Sequence, residues 1–405
     1  MSRRPVVDLI YIDSGGGHRA AARSLKAAVR EQRKPWEVRL HGAQDLLDPV
    51  DFIRKYTGVP FQEIYNIMLR RGWTMGSRQL LPVMHLLIRL THRRQVRVLE
   101  EHWRKHPADM VVSVIPHYNR ALRQAFERAC PGRPFVTIMT DIVDYPPHFW
   151  IENLEQYLIC GSERARQQAL SLKVPAQRVL AMSGMILDPR FHTARRSENT
   201  SERAASRMRL GLDPVLPTGL VMFGGVGSKD AVRVVRALNR LELGVQLIVL
   251  CGRHAESLQA LRSIDAHIPV YVEGFTRDVA HFMQLADFFI GKPGPGSISE
   301  ALAMHLPVIV ESNIRTMIHE RYNARWIREQ QLGLVVCSFD RLAEAIPELL
   351  DPERFNRFRA NAARIRNSAV YDAVQWLDSI LENHGTNSTE GTLLRPDFNQ
   401  RLTPA

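Results

Sequence analysis

The sequence predicts an α/β protein made of two doubly wound, parallel-sheet domains, and three stretches carry that prediction. Val6–Ile12 (VVDLIYI) reads as a buried strand that runs through DSGGGH into the helical stretch RAAARSLKAAVREQ. Strand, glycine turn and helix is the opening unit of such a sheet. The unit recurs where LVMF (Leu220–Phe223 with its neighbours) passes through GGVGSKD into AVRVVRALNRL. It recurs again at Phe288–Val310, as the strand DFFI, the loop GKPGPG, the helix SISEALAMH and the strand PVIV. At 405 residues the chain exceeds one ordinary domain.

The elements follow in order. Trp36–Leu40 reads as the second strand, and Asp109–Ile115, Phe135–Thr140 and Tyr157–Cys160 as further strands of the first domain. Each of the last three ends in a polar loop (PHYNR, DIVDYPPHFW, GSERARQQAL), so Asn119, Asp141, His148 and Ser162 should gather near His18 at one sheet edge. Residues 190–214 are polar and basic, which marks the domain boundary. Val245–Leu250 and Pro269–Val272 continue the second sheet, and a helix begins at Asp278. The expected division is 1–195 and 196–367, then a helix over 368–384 packing back on the first domain, and a disordered tail over 385–405.

Composition narrows the function classes. The formal net charge is +12, but residues 1–196 hold 31 Lys and Arg against 18 Asp and Glu, leaving the remainder at −1. The N-terminal half should therefore face an anionic surface or a polyanion. Cys130, Cys160, Cys251 and Cys337 are scattered without paired spacing, which argues against a disulfide framework or zinc site and for a reducing compartment. No apolar run approaches the length of a membrane span, and Asp8 interrupts the first apolar stretch, so no signal segment is read there. Residues 51–106 hold eleven Lys and Arg against four acids, interleaved with FQEIYNIML and LLPVMHLLIRL. Arg70, Arg71, Trp73, Arg93 and Arg94 fit a segment lying in a membrane interface. Two helices with a solvated basic face would fit as well, and nucleic acid is a third reading without an accompanying motif.

Two loops carry the chemistry. Gly294 and Gly296 permit close backbone approach to a bulky anion, and the helix after them offers unpaired N–H groups and a positive dipole end. Glu300 lies about one turn into that helix, where it could reach a hydroxyl beside a phosphate; an ordinary turn with a solvated Glu is the alternative. His18 sits at the first helix's N-terminus, in the crevice where open sheets bind ligands, or else merely closes a turn. GGGH does not match the dinucleotide fingerprint. Asp141, just after an apolar strand, is a candidate acid or base or a turn cap.

DSGGGHRAAARSL and GKPGPGSISEALAMHLPVIVE, in this order, resemble the monogalactosyldiacylglycerol synthases and processive diacylglycerol glucosyltransferases, relatives of the peptidoglycan GlcNAc transferase. SVIPHYN, VTIMTD, HFW, FGGVGS, CGRH and EGF extend the resemblance over roughly residues 6–340. It implies a GT-B fold, two Rossmann-like domains facing a central cleft. It implies inverting transfer of a hexose, galactose or glucose, from a UDP-sugar to 1,2-diacylglycerol. By position, it gives Gly224, Gly225, Gly227, Gly294, Gly296 and Ser297 to the phosphates, Phe275 to the uracil and Glu300 to the ribose. His319, Glu320 and Asn323 go to the sugar hydroxyls. His18, preceded by Gly16 and Gly17, becomes the candidate base or a diphosphate contact, with Asp141 the alternative base and His148 on the acceptor side. His319 stands where Gln is usual, which leaves the sugar unspecified; Ile186 replaces a Pro and Pro293 an Ala. No cofactor or metal is expected, since Asp141 and Asp144 have the wrong spacing for a metal motif. The partners expected are the donor, the lipid acceptor and an anionic membrane, not nucleic acid, with the protein on the cytoplasmic face of the plasma membrane.

Overall fold

In this computed structural model, residues 3–13, 16–50, 77–194, 200–239 and 244–385 are described. The strands β1 (Val6–Tyr11), β2 (Glu37–Gly42), β3 (Met110–Ser113), β4 (Phe135–Ile138), β5 (Tyr157–Cys160) and β6 (Val179–Ala181) form one parallel sheet in the order β2-β1-β3-β4-β5-β6. Alternation along β1 sends Val7 and Leu9 to one face and Val6 and Ile10 to the other. Val7 and Leu9 meet α1 (Gly17–Glu31); Ile10 meets Leu99 and Trp103 of α3 (Ser77–Lys105) and Phe126 of α4 (Asn119–Ala129). A short α2 (Ala43–Leu47) follows β2. Residues 77–105 form one long helix; the rest of the 51–106 stretch read as a membrane-interface segment or a pair of helices, residues 51–76 with Arg70, Arg71 and Trp73, lies outside the described residues.

The second sheet repeats the plan. Strands β7 (Thr218–Met222), β8 (Gln246–Leu250), β9 (Val270–Glu273), β10 (Phe288–Gly291), β11 (Val308–Glu311) and β12 (Gly333–Val336) lie parallel in the order β12-β11-β10-β7-β8-β9. The order reverses between β1 and β3 in the first sheet and between β7 and β10 in the second. Crevices open at the carboxyl ends of strands at such points. The GGGH loop follows β1, and the two glycine loops of the second domain follow β7 and β10, so all three of the sequence's distinctive loops fall at these two points.

After α5 (Glu163–Ser171) and β6, the chain crosses between domains earlier than the 195/196 boundary read from the polar run. Leu187, and Phe191 in the short α6 (Arg190–Ala194), already pack in the second core against Met283 and Leu285. The helix α7 (Thr200–Arg209) is tied to the same core by Arg207, buried and bonded to Asp287 (2.7 Å) and to the carbonyls of Leu285, Pro214 and Leu216. The crossing and the return are stitched together: Asn367 Nδ2 donates to the Met185 carbonyl (3.0 Å), and Asp372 accepts from the Ser183 N–H (2.8 Å). The last described helix, Ala369–Gly385, buries Val370, Val374, Leu377 and Ile380 in the first domain's core, a stripe at helical spacing. Its Trp376 indole donates to the Ala181 carbonyl (2.8 Å). Residues 386–405, read as a disordered tail, lie outside the described residues.

Candidate active site

Gly16 opens the first crevice. It caps α1 in the left-handed region (φ 89°), and a side chain on Gly16 or Gly17 would meet nothing within 4 Å. His18 therefore starts its helix at an open mouth. Its Nδ1 lies 2.9 Å from the Val114 carbonyl, just past β3, and 3.0 Å from Thr140 Oγ1, just past β4. A carbonyl only accepts, so Nδ1 carries the proton and Nε2 keeps a lone pair. No described residue occupies Nε2. Burial pushes the His18 pKa down; Asp141 and the Val114 carbonyl oppose this, while Lys292 and His319 of the other domain add to it, and the net shift is downward. His18 is thus a neutral imidazole with its basic nitrogen free.

Asp141 is buried beside it and accepts from the Trp150 indole (2.7 Å); that ring lies 5.9 Å from His18, centroid to centroid. Asp144 is also buried, with its two oxygens on the N–H groups of His148 (2.9 Å) and Trp150 (2.7 Å). These two carboxylates shape the loop that sets Trp150 against His18. Three of the other residues expected near His18 have structural work. Asn119 is buried, bonding Ser113 (2.6 Å) and the Ile115 carbonyl (2.9 Å). Ser162 caps α5 through the Ala165 N–H (3.1 Å). His148 is exposed, and its backbone N–H makes the contact described.

The second crevice is lined by two glycine loops. Gly224 and Gly227 take φ values of 78° and 79° before α8 (Asp230–Leu238), and a Cβ at Gly227 would come within 2.0 Å of the Cys251 carbonyl. Only glycine fits there. Phe275, 44% exposed, lies close over Gly225, with the Arg253 guanidinium 4.1 Å from its ring. The helices α9 (Ala255–Arg262) and α10 (Val279–Leu285) lead on to β10 and its loop. There α11 (Pro295–Ala303) starts with Gly294 as its cap residue, Pro295 in its first turn and no side-chain cap. Gly296 leaves open space before the N–H groups of Gly296 and Ser297, the free donors of a helix start. Glu300 makes no hydrogen bond within the described residues, and burial together with Asp188 pushes its pKa up to about 8.

Glu320 is buried and bonds Lys292 Nζ at 2.6 Å; burial pushes its pKa up, but the charges of Lys292 and His319 hold it below the usual range. Asn323, in α12 (Arg321–Glu329), turns its amide nitrogen to the Pro293 carbonyl (2.8 Å), while its buried amide oxygen has no partner among the described residues. It therefore tethers the loop after β10, a job the resemblance did not assign it. His319 stacks on Phe149 of the first domain (centroids 5.7 Å apart, planes at 9°), so the two domains touch beside His18. Ile142 and Val143 pack near Tyr322 and Trp326 along the same seam. Trp150, Thr140 and Lys292 were missed as site residues by sequence reasoning. The motifs themselves were the available signal, since all three lie within or beside them. Arg93 and Arg94 are exposed on α3 with Arg89, Arg97, Leu86 and Leu90. Among the described residues, the donor group close enough for a metal is Asp8, His41 and His102, where Arg39 already holds both Asp8 oxygens (2.7 and 3.0 Å).

Two parallel-sheet domains with their crevices facing one seam define a GT-B protein, and residues 219–377 match the glycosyltransferase family 28 C-terminal domain. The class that the fold defines is thus GT-B, with the family 28 match lying in its C-terminal part. Over most of its length the chain is similar to monogalactosyldiacylglycerol synthases. It is 28% identical to the chloroplastic enzyme of Spinacia oleracea, covering 92% of this chain and 72% of that one. It is 26% identical to monogalactosyldiacylglycerol synthase 1 of Arabidopsis thaliana, covering 92% and 70%. Among solved structures, Acinetobacter baumannii MurG superposes with a TM-score of 0.60 at 13% identity, covering 93% of this chain and 99% of that one. The UDP-GlcNAc 2-epimerase of Neisseria meningitidis, bound to UDP-GlcNAc, gives 0.55 at 14%, covering 94% and 100%. An epimerase shares the architecture, so fold alone does not select transfer.

Proposed function

We propose that this protein transfers a hexose, galactose or glucose, from a UDP-sugar to the hydroxyl of 1,2-diacylglycerol, with inversion at the anomeric carbon. The observation that carries the reading is that His18, with its Nδ1 held by Val114, lies close enough to Lys292 and His319 of the family 28 domain to feel their charge, beside a helix start that is open. His18 Nε2 takes the proton of the acceptor hydroxyl as its oxygen attacks the anomeric carbon. The bond from that carbon to the diphosphate oxygen breaks on the opposite side, and UDP leaves with the electron pair. The N-terminus of α11 and the glycine loops stabilise that charge with protein groups alone. Asp141 and Asp144 are committed to Trp150 and the 144–150 loop, which supports a reaction without a metal. Phe275 offers the uracil an aromatic face and Glu300 accepts from the ribose.

The acceptor reaches the site from a membrane. Leu86 (56% exposed) and Leu90 (72%) share a face of α3 with Arg93 and Arg97, which supports peripheral docking on an anionic leaflet, the cytoplasmic one in this reading. No helix of the described residues is long and apolar enough to span. The test is lipid analysis of cells expressing the chain or its His18→Ala variant. A new hexosyl-diacylglycerol found only with the intact chain is expected, and sugar analysis then names the donor. Folded protein with diacylglycerol present and no new glycolipid overturns the reading and points to another lipid acceptor or a binding role.

A further inference from the structure

The loop after β10 holds a charge that the resemblance leaves without a role. Lys292 follows the strand directly, and its side chain is 37% exposed while its partner Glu320 is 4% exposed. A Cβ placed on Gly294 would lie 3.3 Å from Lys292 Cε and 3.4 Å from Glu320 Oε1, so this ion pair sits over the cap residue of α11. An ammonium at a helix N-terminus opposes the macrodipole, and its placement is favourable only with an anion beside it. Glu320 supplies that anion in the empty protein. The same loop is held from behind by Asn323, through the Pro293 carbonyl. The charge of Lys292 also bears on His18 across the seam, so the ammonium and the candidate base belong to one cleft.

We infer that Lys292 is a diphosphate-binding residue of this site, held in readiness by Glu320 and handed from that carboxylate to the β-phosphate of the donor. This rests on the transferase reading above for its catalytic consequence. As the anomeric carbon–oxygen bond breaks, the electron pair and its negative charge stay on the β-phosphate oxygen. Lys292 Nζ donates a hydrogen bond there, beside the N–H groups of α11. The acceptor proton goes to His18 Nε2 and the new carbon–oxygen bond completes the transfer. Glu320, released from the ion pair, is left free to accept from hexose hydroxyls.

A purified full-length chain tests this by calorimetric binding of UDP and of uridine, which share the base and ribose and differ in the diphosphate. Lys292→Met should weaken UDP by about 10- to 100-fold, the loss of one charge-assisted hydrogen bond, with uridine affinity close to that of the intact chain. Because Lys292→Met strands a buried carboxylate, the double variant Lys292→Met with Glu320→Gln is measured alongside and should show the same selective loss. Recovery of UDP affinity in the double variant would mean that Lys292 only neutralises Glu320, and the inference falls. Equal losses for UDP and uridine, or none for either, also overturn it. Glycolipid synthesis is assayed in parallel. An intact chain that binds UDP through Lys292 yet makes no glycolipid refutes the transferase reading and leaves Lys292 as a diphosphate ligand. An intact chain that does not bind UDP refutes both.

Discussion

His18 as a neutral base makes a prediction with a sign, a size and a control. Its Nδ1 proton is held by the Val114 carbonyl at 2.9 Å, so Nε2 serves as the base only while it is unprotonated. The folded pKa lies below the ordinary imidazole value of 6.5 because burial outweighs Asp141. A base with a depressed pKa is present above that pKa and is lost as pH falls through it. The acid limb of kcat/KM should therefore lie below pH 6.5, with more than half the plateau still present there. Removing the imidazole (His18→Ala) should cut turnover by roughly 10²- to 10⁴-fold, about 3–5 kcal/mol of barrier. Thr140→Val, which removes one neighbour of Nδ1, should cost about 1 kcal/mol. The nearby charges give opposite shifts that no structural role would imitate. Asp141→Asn removes a charge that raises the pKa, so the limb moves further down. Lys292→Met removes one that lowers it, so the limb moves up. Steady-state profiles between pH 5 and 9 decide the matter. An acid limb at or above 6.5, both variants shifting it the same way, or His18→Ala within tenfold of the intact chain would refute the assignment.

Glu300, pushed up to about 8, is protonated at pH 7 in the empty site; ribose hydroxyls donating to it favour the charged form. UDP binding at pH 7 should then release protons and strengthen as pH rises towards 8. Calorimetry in buffers of different ionisation enthalpy should detect this in the intact chain and not in Glu300→Gln; no release in the intact chain excludes the contact. His102, in the last turn of α3, has its pKa lowered to about 4 by burial and the neighbouring His41. Between pH 6.5 and about 4 the unfolded chain binds a proton that the folded one does not, so stability should fall with pH across that window. Allowing for partial exposure, the loss is on the order of 1–2 kcal/mol. Denaturant melts of His102→Gln should lack that slope, and a slope equal to the intact chain's would place the cause elsewhere. Asn323→Leu leaves the Pro293 carbonyl unpaired and should cost about 1–3 kcal/mol while weakening UDP, readable by thermal melting and calorimetry. Unchanged melting and affinity would remove the tether from the account.

What the sequence made legible was local. Strand, glycine turn and helix is a contiguous pattern, and parallel sheets with crevices at the strand ends follow from it. Gly227 was readable for the same reason, because its positive φ belongs to a turn closed by Gly224, whereas its tight approach to Cys251 joins remote segments. What the sequence hid depends on distances between remote segments. Trp150 is set by Asp141 and Asp144, and Lys292 by Glu320, 28 residues later, so no spacing rule reveals either pair. The domain crossing was placed late because the polar run at 190–214 catches the eye, whereas two apolar side chains, Leu187 and Phe191, decide which core the chain has joined. Asn323 shows the deeper limit. One amide can serve a sugar or a loop carbonyl, and its residue type cannot say which. The carbonyl of Pro293 has taken its nitrogen and the whole side chain is buried, so the loop, 30 residues earlier in the chain, is what this amide serves.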